Sequence, residues 1–193
     1  MGGVMTNQPP KCAVCILAGG LSKRMGRSKA GLRFGSKTLL GHIRTEARRL
    51  GLPMRVIRRD LVPRCGPLGG IYTALKTSAT EAELFMACDM PFVSSGLMER
   101  MILAWQRRPQ SAFFAGNSGG ASGFPLLLPV RLLPLVERQV FKGEFSIQAL
   151  AKAVKALVLR PPRGQEWQLF NVNTPEDWRV ARQRQAGPPP PLN

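Results

Sequence analysis

The sequence predicts an α/β domain of three layers, with a mainly parallel sheet held between helices. Short apolar runs alternate with segments of helical periodicity along nearly the whole chain. Several runs are apolar at every position, as strands covered on both faces require. The 193 residues can bury a continuous core without metal or disulfide staples, and 44% apolar with 20% charged residues is ordinary for a globular domain.

The elements follow in order. Cys12–Leu17 (CAVCIL) is a wholly apolar run ending in Ala18-Gly19-Gly20, which suits a buried strand. Thr38–Leu50 sets Leu39, Leu40, Ile43, Ala47 and Leu50 on one helical face. Met54–Ile57 reads as a short strand, and Leu68, Ile71, Tyr72 and Leu75 have helical spacing. Leu84–Cys88 (LFMAC) is a second buried strand. Ser94 or Ser95 caps a helix carrying Leu97, Met101, Ile102 and Trp105. Strands are expected at Ala112–Ala115 and Phe124–Leu128, then helices through Leu132, Leu133, Val136 and Val140 and through Ile147, Leu150, Ala151 and Val154. Leu157–Leu159 and Gln168–Val172 are the last expected strands. Thr174-Pro175-Glu176-Asp177 opens a final helix, with a capping Thr, Pro at its first position and acids in its first turn. Residues 1–10 and the Pro-rich 186–193 read as unstructured ends, leaving 11–185 as one domain.

Composition narrows the function. No apolar run is long enough to span a bilayer, and the N-terminus lacks a signal-peptide core, so a cytoplasmic protein with no membrane partner is expected. Cys12 and Cys15 form C-x-x-C, but inside an apolar strand they read as small hydrophobes rather than zinc or redox ligands. The 28 basic residues against 11 acidic give +17, which points to anionic partners such as nucleotides or phosphorylated cofactors. These charges form no stripe, so nucleic acid is not an expected partner. The single His42 lies in a helical pattern, which argues against His-rich metal sites and a Ser-His-Asp triad.

In such sheets ligands bind beyond the carboxyl ends of the strands, so the residues after each buried strand carry most weight. The first strand runs into LAGGLSKRMGRSK. Its adjacent glycines let backbone approach a ligand closely, and Arg24 and Lys29 suit a polyphosphate. Gly31–Thr38 (GLRFGSKT) is not a Walker A loop, because Ser36 separates Gly35 from Lys37. Only three Asp are present. Asp89 follows LFMAC in CDMPF, a strand-end position suited to Mg²⁺ on a nucleotide phosphate. Asp60 follows Val56-Ile57, where Arg55, Arg58, Arg59 and Arg64 offer the competing reading of structural ion pairs. Asp177 is explained by helix capping. Gly66-Pro67-Leu68-Gly69-Gly70 enters a helix and makes an anion-friendly turn. Trp105, Trp167 and Trp178 read as packing residues.

LAGGLSKRMGRSK, GPLGGI, CDMPF and NVNTPED, in this order and over about 11–180, resemble the MobA-type nucleotidyltransferases. These are molybdenum cofactor guanylyltransferases, within the superfamily that includes cytidylyltransferases. The resemblance implies a Rossmann-like nucleotidyltransferase fold. It implies that Leu17, Ala18, Gly19, Gly20 and Ser22 contact the nucleotide and that Arg24 and Lys29 bind its triphosphate. Asp60 would sit near base or sugar, with Gly66, Pro67, Leu68 and Gly69 as another wall. Asp89 would hold Mg²⁺, and Asn173, with Asn171, would complete the metal or acceptor site. The implied reaction is attack by the phosphate of molybdopterin, or of the molybdenum cofactor, on the α-phosphate of GTP. An acidic apo-molybdoenzyme or chaperone fits the basic surface as a delivery partner.

The chain departs from the pattern in one place. Relatives carry a further strand and helix after the first helix, and that strand ends in an Asn-containing loop that helps read guanine. Here Leu50-Gly51-Leu52-Pro53 leads directly into MRVIRRD. One βα unit is therefore expected to be absent, and no residue carries over for that loop. A CTP-dependent cytidylyltransferase and a non-catalytic nucleotide- or cofactor-binding relative remain the alternatives.

Overall fold

The computed structural model describes residues 11–19 and 31–186. The sheet is built from β1 (Cys12–Leu17), β4 (Met54–Ile57), β5 (Ala82–Ala87), β6 (Phe113–Asn117), β7 (Gly120–Pro129) and β8 (Leu157–Leu159). Their spatial order is β4-β1-β5-β7-β6-β8. β1 pairs in parallel with β4 and β5, and β6 with β8, while β7 runs antiparallel to both its neighbours. Only β7 is reversed, because the tight turn from Asn117 to Gly120 returns the chain beside β6. A small hairpin of β2 (Arg33–Phe34) and β3 (Lys37–Thr38) turns at Gly35, whose φ of 62° favours glycine.

Helices α1 (Leu39–Arg48) and α3 (Ser95–Arg107) cover one face of the sheet. Helices α2 (Gly66–Lys76), α4 (Leu133–Lys142) and α5 (Ile147–Ala153) cover the other. Strand alternation sorts the core accordingly. Val14, Ile16, Leu84 and Met86 meet α1 and α3, whereas Cys15, Leu17 and Phe85 meet α2. Helix α6 (Pro175–Ala186) packs Ala181 and Trp178 on a smaller cluster with Phe34, Leu39 and Val172. The expected caps form, with Ser94 Oγ accepting from Leu97 N–H and Thr174 Oγ1 from Asp177 N–H, and Thr38 Oγ1 also accepts from Gly41 N–H at the start of α1.

The expected strand at Gln168–Val172 is not formed. A 3₁₀ turn occupies Glu166–Leu169, and the chain then runs on without a sheet partner. Its bonding is committed elsewhere: Val172 N–H donates to Asp89 O at 2.8 Å, and Gln168 Oε1 accepts from Ser94 N–H and Oγ–H at 3.1 and 2.6 Å. The other expected strands and helices lie where the pattern put them, with ends shifted by one to a few residues. α1 connects to β4 through residues 49–53 alone, so no further strand or helix intervenes there. β4 pairs directly with β1 and forms the sheet edge. Among the described residues no helix is long and apolar enough to cross a membrane.

Candidate active site

β1 leads through α1 to β4 on one side, while β5 leads through α3 towards β6 on the other. The connections diverge between β1 and β5, and a crevice at the carboxyl ends of such strands is where open α/β sheets bind ligands. Leu17 and Ala87 are paired partners there, which brings Gly19 and Asp89 to adjacent strand ends.

On the β4 side the chain folds Asp60 over three glycines. A Cβ on Gly69 would lie 2.9 Å from Asp60 Oδ2, one on Gly70 would lie 3.5 Å from Oδ1, and one on Gly19 would lie 3.7 Å from Oδ1. Gly69 has no room for a side chain beside that carboxylate, whereas at Gly70 and Gly19 the carboxylate lies at ordinary contact distance and the tight neighbours are Leu17 Cδ2 at 3.0 Å and Arg58 O at 3.2 Å. The competing salt-bridge reading of Asp60 is not met. Arg55 pairs with Glu83 instead, and the other ion pairs of the described residues join Arg49 to Glu46, Lys76 to Glu137 and Arg179 to Glu176. Burial raises the Asp60 carboxyl above its ordinary value, and Asp60 in turn helps raise the Cys65 thiol. A half-buried carboxylate with no cationic partner among the described residues, set against glycines at a strand end, is arranged for a ligand rather than for stability.

The Gly66–Gly69 wall is the first turn of α2, with Pro67 at its start and no side-chain cap at Cys65. Its free N–H groups form an anion-favouring end. Leu68 is fully buried, so it reaches a ligand only through its backbone. Leu17 is likewise a core residue, and Ala18 N–H is bound to Ile57 O at 2.9 Å.

Asp89 is half-buried in the turn after β5. Asn173 is tied beside it: Val172 N–H holds Asp89 O, and Asp177 Oδ2 accepts from Asn173 and Thr174 N–H at 2.9 and 2.8 Å. Asp177 thus does more than cap α6, since it also fixes the segment carrying Asn173. Asn171 is half-buried in the same segment. Gly20, Ser22, Arg24 and Lys29 lie outside the described residues. Among the described residues no cluster of three or more His, Cys, Asp or Glu is present. Asp89 with an amide such as Asn173 nonetheless fits Mg²⁺, which takes one or two protein oxygens and draws the rest from water and substrate phosphates.

The remaining candidates are structural. Cys12 and Cys15 point to opposite faces of the sheet and are free thiols, both pushed up to about 12, first by burial and then by the Glu83 carboxylate. His42 bonds Phe34 O through Nε2 at 2.6 Å. Trp105 is core, with its indole N–H on Pro109 O. Trp167 was expected as packing but is 36% exposed. It lines a cavity with Asn117, Ser122, Glu166, Leu169 and Phe170. Nothing in the sequence distinguished it from the other two tryptophans, because its exposure depends on the 3₁₀ turn.

Fold and site thus describe a nucleotide-handling α/β domain. The sequence pattern of the MobA-like NTP transferase domain matches residues 14–60 and 45–158, and the chain belongs to that family. Residues 45–60 fall in both matches. The chain is 30% identical to the molybdenum cofactor guanylyltransferase of Pseudomonas entomophila, over 89% of this chain and 98% of the relative. It is 31% identical to that of Rhizobium leguminosarum, over 84% and 87%. The molybdopterin-guanine dinucleotide biosynthesis protein A of Archaeoglobus fulgidus shares the fold with a TM-score of 0.73, at 19% identity over 90% of this chain and 98% of that one. The 2-C-methyl-D-erythritol 4-phosphate cytidylyltransferase of Thermus thermophilus shares it with a TM-score of 0.62, at 19% identity over 90% and 98%.

Proposed function

We infer that this chain transfers GMP from GTP to the phosphate of molybdopterin or its molybdenum-bearing form, releasing pyrophosphate and forming the guanine dinucleotide. The carrying observation is the Asp60 carboxylate, which makes no ion pair among the described residues and is seated against Gly19, Gly69 and Gly70 at the strand ends. Guanine presents adjacent N–H donors, which a carboxylate accepts. The α2 N-terminus presents further N–H groups to anionic parts of the nucleotide. Arg24 and Lys29 neutralise the triphosphate and the departing pyrophosphate. Asp89, with Asn173, would hold Mg²⁺, which when bound withdraws charge from the phosphate under attack. The attacking group is itself a phosphate, so no strong general base is required, and catalysis is positioning and charge neutralisation.

Thermal unfolding against GTP, CTP, ATP and UTP, with and without Mg²⁺, tests this reading. A native-state ligand at a hundredfold its Kd stabilises by about 2.7 kcal/mol. That is about 5–10 °C for a domain of this size. A shift selective for GTP and enhanced by Mg²⁺ is expected, with pyrophosphate release once molybdopterin is added. A CTP-selective shift, or none with any nucleotide, refutes the reading.

A further inference from the structure

We propose that the cavity lined by Asn117, Ser122, Glu166, Trp167, Leu169 and Phe170 receives the pterin ring system of the acceptor; this rests on the guanylyltransferase reading above. The strand order places it. Asp60 and Gly19 lie at the β4 and β1 ends, Asp89 at the β5 end, and Asn117 and Ser122 at the corresponding ends of β6 and β7. Asp89 therefore stands between the Asp60 pocket and this cavity. The link is short, because Phe170 is two residues from Val172, whose N–H donates to Asp89 O. A ring held in the cavity would extend its phosphate arm toward Asp89 and Asn173, from the side opposite the base.

The walls suit a flat heterocycle. The cavity is about 280 Å³, just below the about 300–1,000 Å³ typical of ligand pockets, and suits a ring system rather than a whole nucleotide. Trp167 is held against movement although a third of it is exposed. The Arg184 guanidinium lies 4.0 Å from its ring centroid, and the Phe170 and Phe92 rings lie at 5.1 and 6.1 Å. Buried Gln168 anchors the same turn to Ser94. Polar atoms complete the match. Glu166 spends Oε1 on Gly164 N–H, and Asn117 spends Oδ1 on Gly119 N–H. The second carboxylate oxygen and the amide NH₂ have no bond among the described residues. A carboxylate oxygen and an amide donor complement the amino, N–H and carbonyl groups of an aminopyrimidinone edge. An exposed Trp fixed by Arg184, Phe170 and Phe92 beside such groups offers its uncovered ring surface to a flat heterocycle.

The test uses the full chain and pterin-6-carboxylate, whose fluorescence reports binding without turnover. Saturable quenching by the wild type is expected, weakened about tenfold or more in W167A and in E166Q. Trp167→Phe, which keeps a ring, should retain most of it and guards against a folding defect in W167A. GTP-induced thermal shifts should be unchanged in all three variants. In the guanylyltransfer assay W167A and E166Q should raise the KM for molybdopterin with the KM for GTP unaltered. Absent pterin binding by the wild type, or equal binding by a folded W167A, overturns the proposal. Pterin binding without any GTP-dependent turnover would support the pocket and refute the reaction, so the two failures are distinguishable.

Discussion

Gly69→Ala puts the site geometry to a quantitative test. The added methyl would meet Asp60 Oδ2 at 2.9 Å, Val62 O at 3.0 Å and Cys65 Cβ at 3.2 Å. Two of these belong to the backbone or to a buried side chain and cannot swing aside; the carboxylate can. The substitution should therefore expel Asp60 while leaving α2 in place. Overpacking costs about 1–3 kcal/mol, partly offset by about 0.5–1 kcal/mol of helix propensity gained over glycine. The net loss of about 0–2.5 kcal/mol keeps the protein folded. Hydrogen bonds to a charged group contribute about 1.5–3 kcal/mol, so GTP affinity should fall about 10- to 150-fold. Isothermal titration with GTP on wild type, G69A, D60A and G69A/D60A reads this out. The double variant should bind no worse than D60A, since both changes remove one group. Gly96→Ala, whose Cβ would meet only Ser94 Oγ at 3.7 Å, serves as the helix control and should leave binding unchanged. If G69A binds GTP as the wild type does while D60A does not, the Asp60–Gly69 contact plays no part and the pocket is misread.

Four further outcomes follow from the same geometry. Asp89→Asn should slow pyrophosphate release about a hundredfold or more while leaving Mg²⁺-independent GTP binding and the melting temperature nearly unchanged; coupled pyrophosphate detection checks this. Arg55→Ala strips the cation from Glu83, which is 1% exposed, and also removes the guanidinium bonds to Ala74 O and Thr77 at the end of α2. Breaking such a pair costs about 3–5 kcal/mol, or about 6–20 °C in Tm by calorimetry. Burial raises Glu83 above its ordinary value, despite Ser78 and Arg55 pulling it down, and burial also raises Asp60. The folded state then holds more protons than the unfolded one between ordinary and raised values, so these groups' contribution falls as pH rises through that window. Glu83→Gln should flatten the dependence and cost little at neutral pH. Finally, Cys12 and Cys15 should resist alkylation at pH 8 until the protein unfolds, as mass spectrometry of labelled peptides would show.

The fold was legible where burial dictated composition. CAVCIL faces helices on both sides of the sheet and is apolar throughout, so its strand was readable to the residue. The reversal of β7 was not, because antiparallel pairing beside β6 is set by a turn rather than by the apolar pattern. Gln168–Val172 misled for a related reason. Val172 is buried and Phe170 half-buried, but against α6 and Phe92 rather than within a sheet, and an apolar pattern alone does not say which. In the site, strand ends drew attention to Asp60 and Asp89 from sequence alone. The glycines that accommodate Asp60 required coordinates, since Gly69 and Gly70 are ordinary helix residues by local pattern. Trp167 was illegible as an exposed, cavity-lining residue, because nothing local separates a clamped, exposed indole from a core one.

The short connection after α1 bears on whether the site is complete. With only residues 49–53 between α1 and β4, β4 takes the place directly beside β1 and leaves no gap in the sheet. The chain after β4 then runs straight over the β1 loop, where a Cβ on Gly19 would lie 3.2 Å from Arg58 O. Arg58–Asp60 thereby lies close over that loop, and the carboxylate sits between the β1 loop and the first turn of α2. On the proposed reading Asp60 is the acidic group that recognises the base. D60N should accordingly do more than weaken GTP. An amide offers one acceptor and one donor where the carboxylate offers acceptors alone, so the preference for GTP over ATP and CTP should collapse along with the affinity. Competition binding with the three nucleotides measures that ratio. A D60N variant that binds weakly but keeps its preference would show that the backbone of the β1 loop, and not Asp60, selects the base.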